Sequence, residues 1–302
     1  MFRNHFISHS NSEGHRTYLL IFKRDCVDRY HPELHLLDSR IKLTLPPPFQ
    51  EDDFYLNILG KTSVSGVFGI GTKNVRGGSN KVKYVLWNPA IEEFVVIPPS
   101  PDELVPKHPR LGVFHDFHGF GYDQVRDDFK ILHMDDMAQW CVGNPFNGEE
   151  LYMNGACHWL VKGKHDQIFM MSFDMSHEVF FTTPIDERSD LDDGYLTGLN
   201  GSIAFITNHD KNNIFHISIL GELGVKESWI KLFIYGPMPS IDWPPIGFGK
   251  KGYIFFRKID DELAYVDLST QIIEELGIKG EDYCCYTGLY QESLLSIGGS
   301  SN

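Results

Sequence analysis

The stretch from Tyr84 to Pro99 constrains the fold more than any other. It reads as a strand, a tight turn, a second strand and a stop. Residues suited to strands stand at Tyr84, Val85, Trp87, Phe94, Val95, Val96 and Ile97. Asn88-Pro89 marks the turn, because Asn bonds its own backbone and Pro fixes φ. Pro98-Pro99 stops the second strand, since neither residue can donate to a ladder. Looser copies surround Asp38, Asp174, the region of Gly221, and Asp267. Successive turns are 50, 86, 47 and 46 positions apart. The interval of 86 is close to two units with one copy missing. A unit of roughly 45 residues with four short strands has the length of a β-propeller blade. No long segment holds a helical period, and turns recur at the density of an all-β chain. The expectation is an all-β propeller of about six four-stranded blades, one of them incomplete near 133–150. A β-sandwich or a pair of barrels with coincidental spacing is the competing architecture.

Composition narrows the partners. Over 302 residues, 27 Lys and Arg stand against 41 Asp and Glu, for a formal charge of −14. Such a balance disfavours binding to nucleic acid or to an anionic membrane and would favour a basic protein. No run approaches the roughly 18 apolar residues of a membrane span. Cys26, Cys141, Cys157, Cys284 and Cys285 are odd in number and contain no CxxC pair. That pattern predicts reduced thiols, hence cytoplasm or nucleus. Residues 1–16 are polar and read as a linker, 17–297 as the propeller domain, and 298–302 as a frayed end.

Chemistry-bearing patterns are weak. His108, His115 and His118, with Asp116, lack the spacing of a metal site. Gly69-Ile70-Gly71 and Gly119-Phe120-Gly121 read as glycines packed against aromatics in tight strands, not as phosphate loops. Cys157 and His158 are adjacent on a strand, so they point to opposite faces and cannot form a dyad. Trp87, Trp159 and Trp229 fall in strand phrases and read as packing residues. No catalytic residue, cofactor or metal is therefore expected.

The repeat also orients the molecule. If Asn88-type turns join the third and fourth strands, the long loops 72–83, 98–116, 184–195 and 236–246 share one face, where recognition usually sits. The first loop is basic and carries Arg76; the second carries Arg110 and His115. The third is acidic, with Asp186, Glu187, Asp190, Asp192 and Asp193, and could steer a basic partner. In the fourth, Trp243 beside Asp242 is the expected contact anchor.

Six phrases then carry a family resemblance. They are Leu86-Trp87-Asn88-Pro89-Ala90, Gly119-Phe120-Gly121-Tyr122-Asp123, Asn154-Gly155-Ala156-Cys157-His158-Trp159-Leu160, Ser172-Phe173-Asp174, Asn200-Gly201-Ser202-Ile203-Ala204 and Ser228-Trp229-Ile230-Lys231-Leu232-Phe233. In this order they resemble the F-box-associated, kelch-like interaction domain of plant F-box proteins, including the S-locus F-box proteins. The resemblance implies a non-enzymatic domain that recognises a protein substrate for an SCF-type ubiquitin ligase. That family opens with an F-box, and nothing like it stands in this chain. Binding to a Skp1-type adaptor is therefore expected only if an F-box lies upstream. The alternatives are a propeller enzyme of the glycosidase or oxidase kind, or a truncated paralogue without adaptor binding.

Overall fold

The computed structural model describes residues 17–23, 33–36, 41–49, 54–74, 82–98, 117–134, 150–163, 167–185, 194–208, 214–238, 240–242, 244–248, 252–279 and 285–298. Its strands are β1 (Thr17–Lys23), β2 (Glu33–Leu36), β3 (Ile41–Leu43), β4 (Phe54–Val64), β5 (Val67–Asn74), β6 (Val82–Asn88), β7 (Glu93–Ile97), β8 (Phe117–Asp123), β9 (Asp128–Met134), β10 (Leu151–Met153) and β11 (Ala156–Lys162). They continue as β12 (Ile168–Asp174), β13 (Val179–Pro184), β14 (Gly194–Leu199), β15 (Ser202–Asn208), β16 (Phe215–Leu220), β17 (Trp229–Tyr235), β18 (Gly247–Phe248), β19 (Tyr253–Arg257), β20 (Glu262–Asp267), β21 (Ile273–Lys279) and β22 (Cys285–Gln291).

The architecture is a β-propeller. Three sheets are meanders of four consecutive strands: β10 to β13, β14 to β17 and β18 to β21. Their first strands stand side by side. β4 neighbours β8, β8 neighbours β10, β10 neighbours β14, β14 neighbours β18, β18 neighbours β22, and β22 returns to β4. That closed succession puts the first strands on the inside and β7, β13, β17 and β21 on the outside.

The blade count differs from the expected six. The described strands form five sheets: the three meanders, the pair β8–β9, and one eight-stranded sheet ordered β3-β2-β1-β22-β4-β5-β6-β7. The large sheet arises because β22 runs parallel to β4 and joins it through Leu289 and Thr62. In the same sheet β22 pairs antiparallel with β1 from Thr17↔Gln291 to Lys23↔Cys285, so the two ends of the chain close the ring. The incomplete blade expected near 133–150 falls mostly on residues 135–149, outside the described residues.

The recurrent turn residue has a local cause. Asn88 Oδ1 accepts the Ala90 N–H at 3.0 Å, Asp174 Oδ1 the Ser176 N–H at 2.9 Å, and Asp267 Oδ1 the Ser269 N–H at 2.8 Å. Each side chain replaces a backbone partner that a tight turn leaves unmet. All three join the third strand of a meander, or of its half of the large sheet, to the fourth. At Gly221 the turn is longer, and Ser228 supplies the partners instead: its carbonyl accepts the Gly221 N–H at 3.0 Å and its Oγ the Glu222 N–H at 3.0 Å. Asp123 makes the same turn toward Val125, but between β8 and β9.

The core is a succession of inter-sheet interfaces. Within the large sheet Phe68 of β5 stacks on Tyr290 of β22 at 5.3 Å, and between adjacent sheets Phe215 of β16 stacks on Phe256 of β19 at 5.5 Å. Trp87, Trp159 and Trp229 are packing residues: Trp87 lies 6.0 Å from Phe68, Trp159 is 1% exposed, and Trp229 lies 6.0 Å from Phe205. The paired glycines also work as the sequence predicts. A Cβ on Gly69 would lie 2.8 Å from the Phe120 ring, and one on Gly119 would lie 2.9 Å from Trp159 Cζ2. Adjacent sheets approach through these gaps, one aromatic ring over each glycine.

The segment after β22 fastens the closure. Asn88 Nδ2 donates to the carbonyls of Ser293 at 3.0 Å and Leu295 at 2.8 Å, and Glu93 Oε2 accepts the Ile297 N–H at 3.0 Å. Ile297 is buried among Leu59, Val67 and Phe120.

Candidate functional site

The expected recognition loops fall between second and third strands or between an outer strand and the next inner strand, and residues 75–81, 99–116, 186–193, 239 and 243 of them lie outside the described residues. Of the residues proposed there, Arg76, Arg110, His115, Asp186, Glu187, Asp190, Asp192, Asp193 and Trp243 lie outside the described residues. Asp242 alone is described. It is half-buried and engaged with its own scaffold. Its Oδ2 accepts Arg257 Nε at 3.1 Å and also meets Arg257 Nη2, while its N–H donates to the Arg257 carbonyl at 2.7 Å. A bridge between Ile241 and Lys258 completes a strap holding this loop to β19.

Three other features bear on chemistry. The first is a buried carboxyl that the sequence analysis missed. Glu150 precedes the inner strand β10, and its Oε1 accepts the Phe120 N–H at 2.6 Å and the Cys157 thiol at 2.8 Å. Its Oε2 is buried beside Gly60 without a hydrogen-bond partner among the described residues. Burial raises its pKa to about 8, against the opposing pull of the two bonds at Oε1. At neutral pH Glu150 is mostly the uncharged acid. The only signal in the sequence was Glu149-Glu150 before an apolar run, which reads equally as a solvated loop end.

The second feature is the pair Cys157 and His158. They point apart, as strand alternation requires. Burial pushes the Cys157 thiol up, and the neighbouring Glu150 adds to the shift. A thiol so placed is protonated and inert. His158 lies on the other face, with Nδ1 2.8 Å from Ser172 Oγ and Nε2 3.2 Å from the Met153 carbonyl. Burial holds its pKa down to about 4, so it is neutral.

The third is an ionic latch between β8–β9 and the β12–β13 turn. Asp123, fully buried, accepts Lys130 and Arg126, each at 2.8 Å, and Ser176 Oγ at 2.8 Å. Glu178 reaches across to Lys130 at 2.6 Å. The Lys130 hydrogen bond is the main reason the Asp123 carboxyl lies far below the usual carboxylate range, with Arg126 and Ser176 assisting. The two carboxylates balance the two cations, so the latch presents little net charge to a ligand.

Outside, the pattern reverses. On β17, Ile230, Leu232, Phe233 and Ile234 are all exposed. Val95 and Val96 of β7, and Val179 and Phe180 of β13, are exposed as well. Among the described residues no group of three or more His, Cys, Asp or Glu side chains could hold a metal, and no helix is long and apolar enough to cross a membrane.

No protein-family model matches the chain, and no curated protein matches it. Among solved structures, TolB from Acinetobacter baumannii is similar over 91% of this chain and 66% of its own, at 12% identity and TM-score 0.48. A Bacteroides fragilis protein described as a 6-phosphogluconolactonase is similar over 93% of this chain and 99% of its own, at 10% identity and TM-score 0.42. The dihydro-heme d1 dehydrogenase NirN is similar over 85% and 63% respectively, at 10% identity and TM-score 0.34.

Proposed function

We propose that the chain is a non-enzymatic protein-recognition propeller, the counterpart of the substrate-binding part of a plant SCF-type ubiquitin ligase. The observation that supports this reading is the placement of side chains on the ring. Groups able to do chemistry, Glu150, Cys157 and His158, are buried and uncharged. Large apolar groups that a monomer would ordinarily bury are exposed on the outer strands β7, β13 and β17. The partner is a protein, and the acidic stretch from Asp186 to Asp193 would attract a basic one. A Skp1-type adaptor joins only through an F-box upstream. Affinity capture with the 302-residue chain tests the reading. A discrete, stoichiometric protein partner is expected; capture of none from the tissue that expresses the chain would overturn it.

One observation favours a propeller enzyme as the second reading. Glu150, with a pKa of about 8 and an Oε2 beside the inner strand β10 that has no partner among the described residues, has the protonation state of a general acid. A hydrolytic activity lost in Glu150→Gln would establish that reading.

A further inference from the structure

We infer that the outer edge of β17 is a docking site for an extended peptide strand, aliphatic in character with one carboxylate, which would add to the β14–β17 sheet. The inference rests on the protein-recognition reading and names the surface and chemistry of the partner.

β17 ends its sheet, and among the described residues no strand pairs with its outer side. Its outward backbone N–H and C=O groups therefore form a row that only another extended chain can match. Its edge is lightly defended, by one charged side chain, Lys231, and by a bulge at Leu232. β21 provides the contrast, being also the outermost strand of its sheet and equally long. β21 carries Glu274 and Glu275, has Gly277 in its interior, and ties Glu275 to Lys258 at 2.7 Å. Charge and glycine of this kind discourage strand addition. β17 has no carboxylate, no glycine and no proline, and its one formal charge is Lys231.

Register specifies the occupant further. Phe233 faces Ile217, but Lys231 faces Ser218, so Leu232 is an extra residue bulging from β17. The bulge leaves Phe233 and Ile230 on one face, and Ile234 and Lys231 on the other. An added antiparallel strand would therefore place aliphatic residues opposite Ile234, Phe233 and Ile230, and a carboxylate opposite Lys231. A second copy of the chain fits less well. Antiparallel self-pairing about Leu232 sets the two Lys231 side chains diagonally across one face, where like charges repel.

The test uses the full chain and a synthetic peptide, Thr-Thr-Val-Val-Glu-Val-Thr-Thr, blocked at both ends and labelled for fluorescence anisotropy. Saturable binding is expected. Replacing the central valines with proline, which cannot complete the ladder, should abolish it. Replacing the peptide Glu with Lys should weaken it severalfold. Ile234→Lys and Ile230→Lys, each on an exposed side chain, should each weaken it by about tenfold or more while circular dichroism and melting stay unchanged. Absence of binding by the unmodified peptide, or binding indifferent to proline or to both lysine variants, would overturn the inference. Self-association of the free chain that Ile234→Lys abolishes would instead assign the edge to a second copy and also overturn it. If Ile234→Lys still captures the partner found with the unmodified chain, protein recognition stands and this edge is not its site.

Discussion

β11 and β17 belong to neighbouring sheets and are equally long, yet they treat their side chains in opposite ways. β11 buries Ala156, Cys157, His158, Trp159, Leu160 and Val161. It takes a thiol and an imidazole out of water and leaves both uncharged. β17 exposes four large apolar residues together with Lys231. Position explains the difference better than polarity does. The second strand of a meander has sheet on both sides and a neighbouring sheet against each face. Among the described residues the fourth strand has a partner on one side only. In the described residues, then, titratable groups are sealed on β11 while β17 presents an apolar surface to water.

The contrast can be broken at several points. The largest expected effect is on β11. Trp159→Ala should cost about 3–5 kcal/mol in urea unfolding, because it empties the seam over Gly119, whereas Ile234→Lys on β17 should stay within about 0.5 kcal/mol. Equal losses would mean that β17 is buried in solution.

The next effect depends on pH. Glu150 has its folded pKa raised to about 8 from 4.5, so the folded state holds a proton that the unfolded state releases. The sign is that stability falls as pH rises from about 4.5 to 8. The slope is on the order of 1 kcal/mol per pH unit. Glu150→Gln removes this dependence, so its melting temperature should gain on the unmodified chain steadily from pH 5 to pH 8. Parallel pH curves would show that Glu150 is charged and solvated.

A smaller loss is expected where the sheets approach most closely. Gly119→Ala puts a methyl 2.9 Å from Trp159 Cζ2 and should cost about 1–3 kcal/mol through overpacking. A neutral result by thermal melting would mean that the seam is slack. The smallest change concerns reactivity alone. Cys157 should resist an aromatic disulfide reagent at pH 8 in the folded chain and react once the chain is unfolded. The comparison of mass-mapped Cys157 before and after denaturation checks this, and rapid labelling of folded Cys157 would contradict the sealed interior.

Much of the fold was legible because its repeating signal is local. Asn88, Asp174 and Asp267 recur because each bonds its own turn, and that chemistry shows in any sequence window. The glycine–aromatic phrases were legible for a similar reason, since a strand glycine beside a ring implies close approach. The number of sheets was not legible. It depends on Leu289 meeting Thr62, residues far apart in the chain. Glu150 was missed because its burial comes from β4, β8 and β10 converging, and nothing beside it in sequence records that. The exposure of β17 was hidden for the opposite reason. Trp229-Ile230-Lys231-Leu232-Phe233-Ile234-Tyr235 has the composition of a buried strand, and only its outermost place in the sheet leaves it in water.

Hydrogen–deuterium exchange with the Val-Val-Glu-Val peptide tests the account most directly. In the free chain β11 should be protected, while β17 should exchange those amides that point away from β16. On addition of the peptide, residues 229–235 should gain protection and β11 should not change. Protection gained elsewhere with 229–235 unaltered, or a free β17 already as protected as β11, would contradict the account.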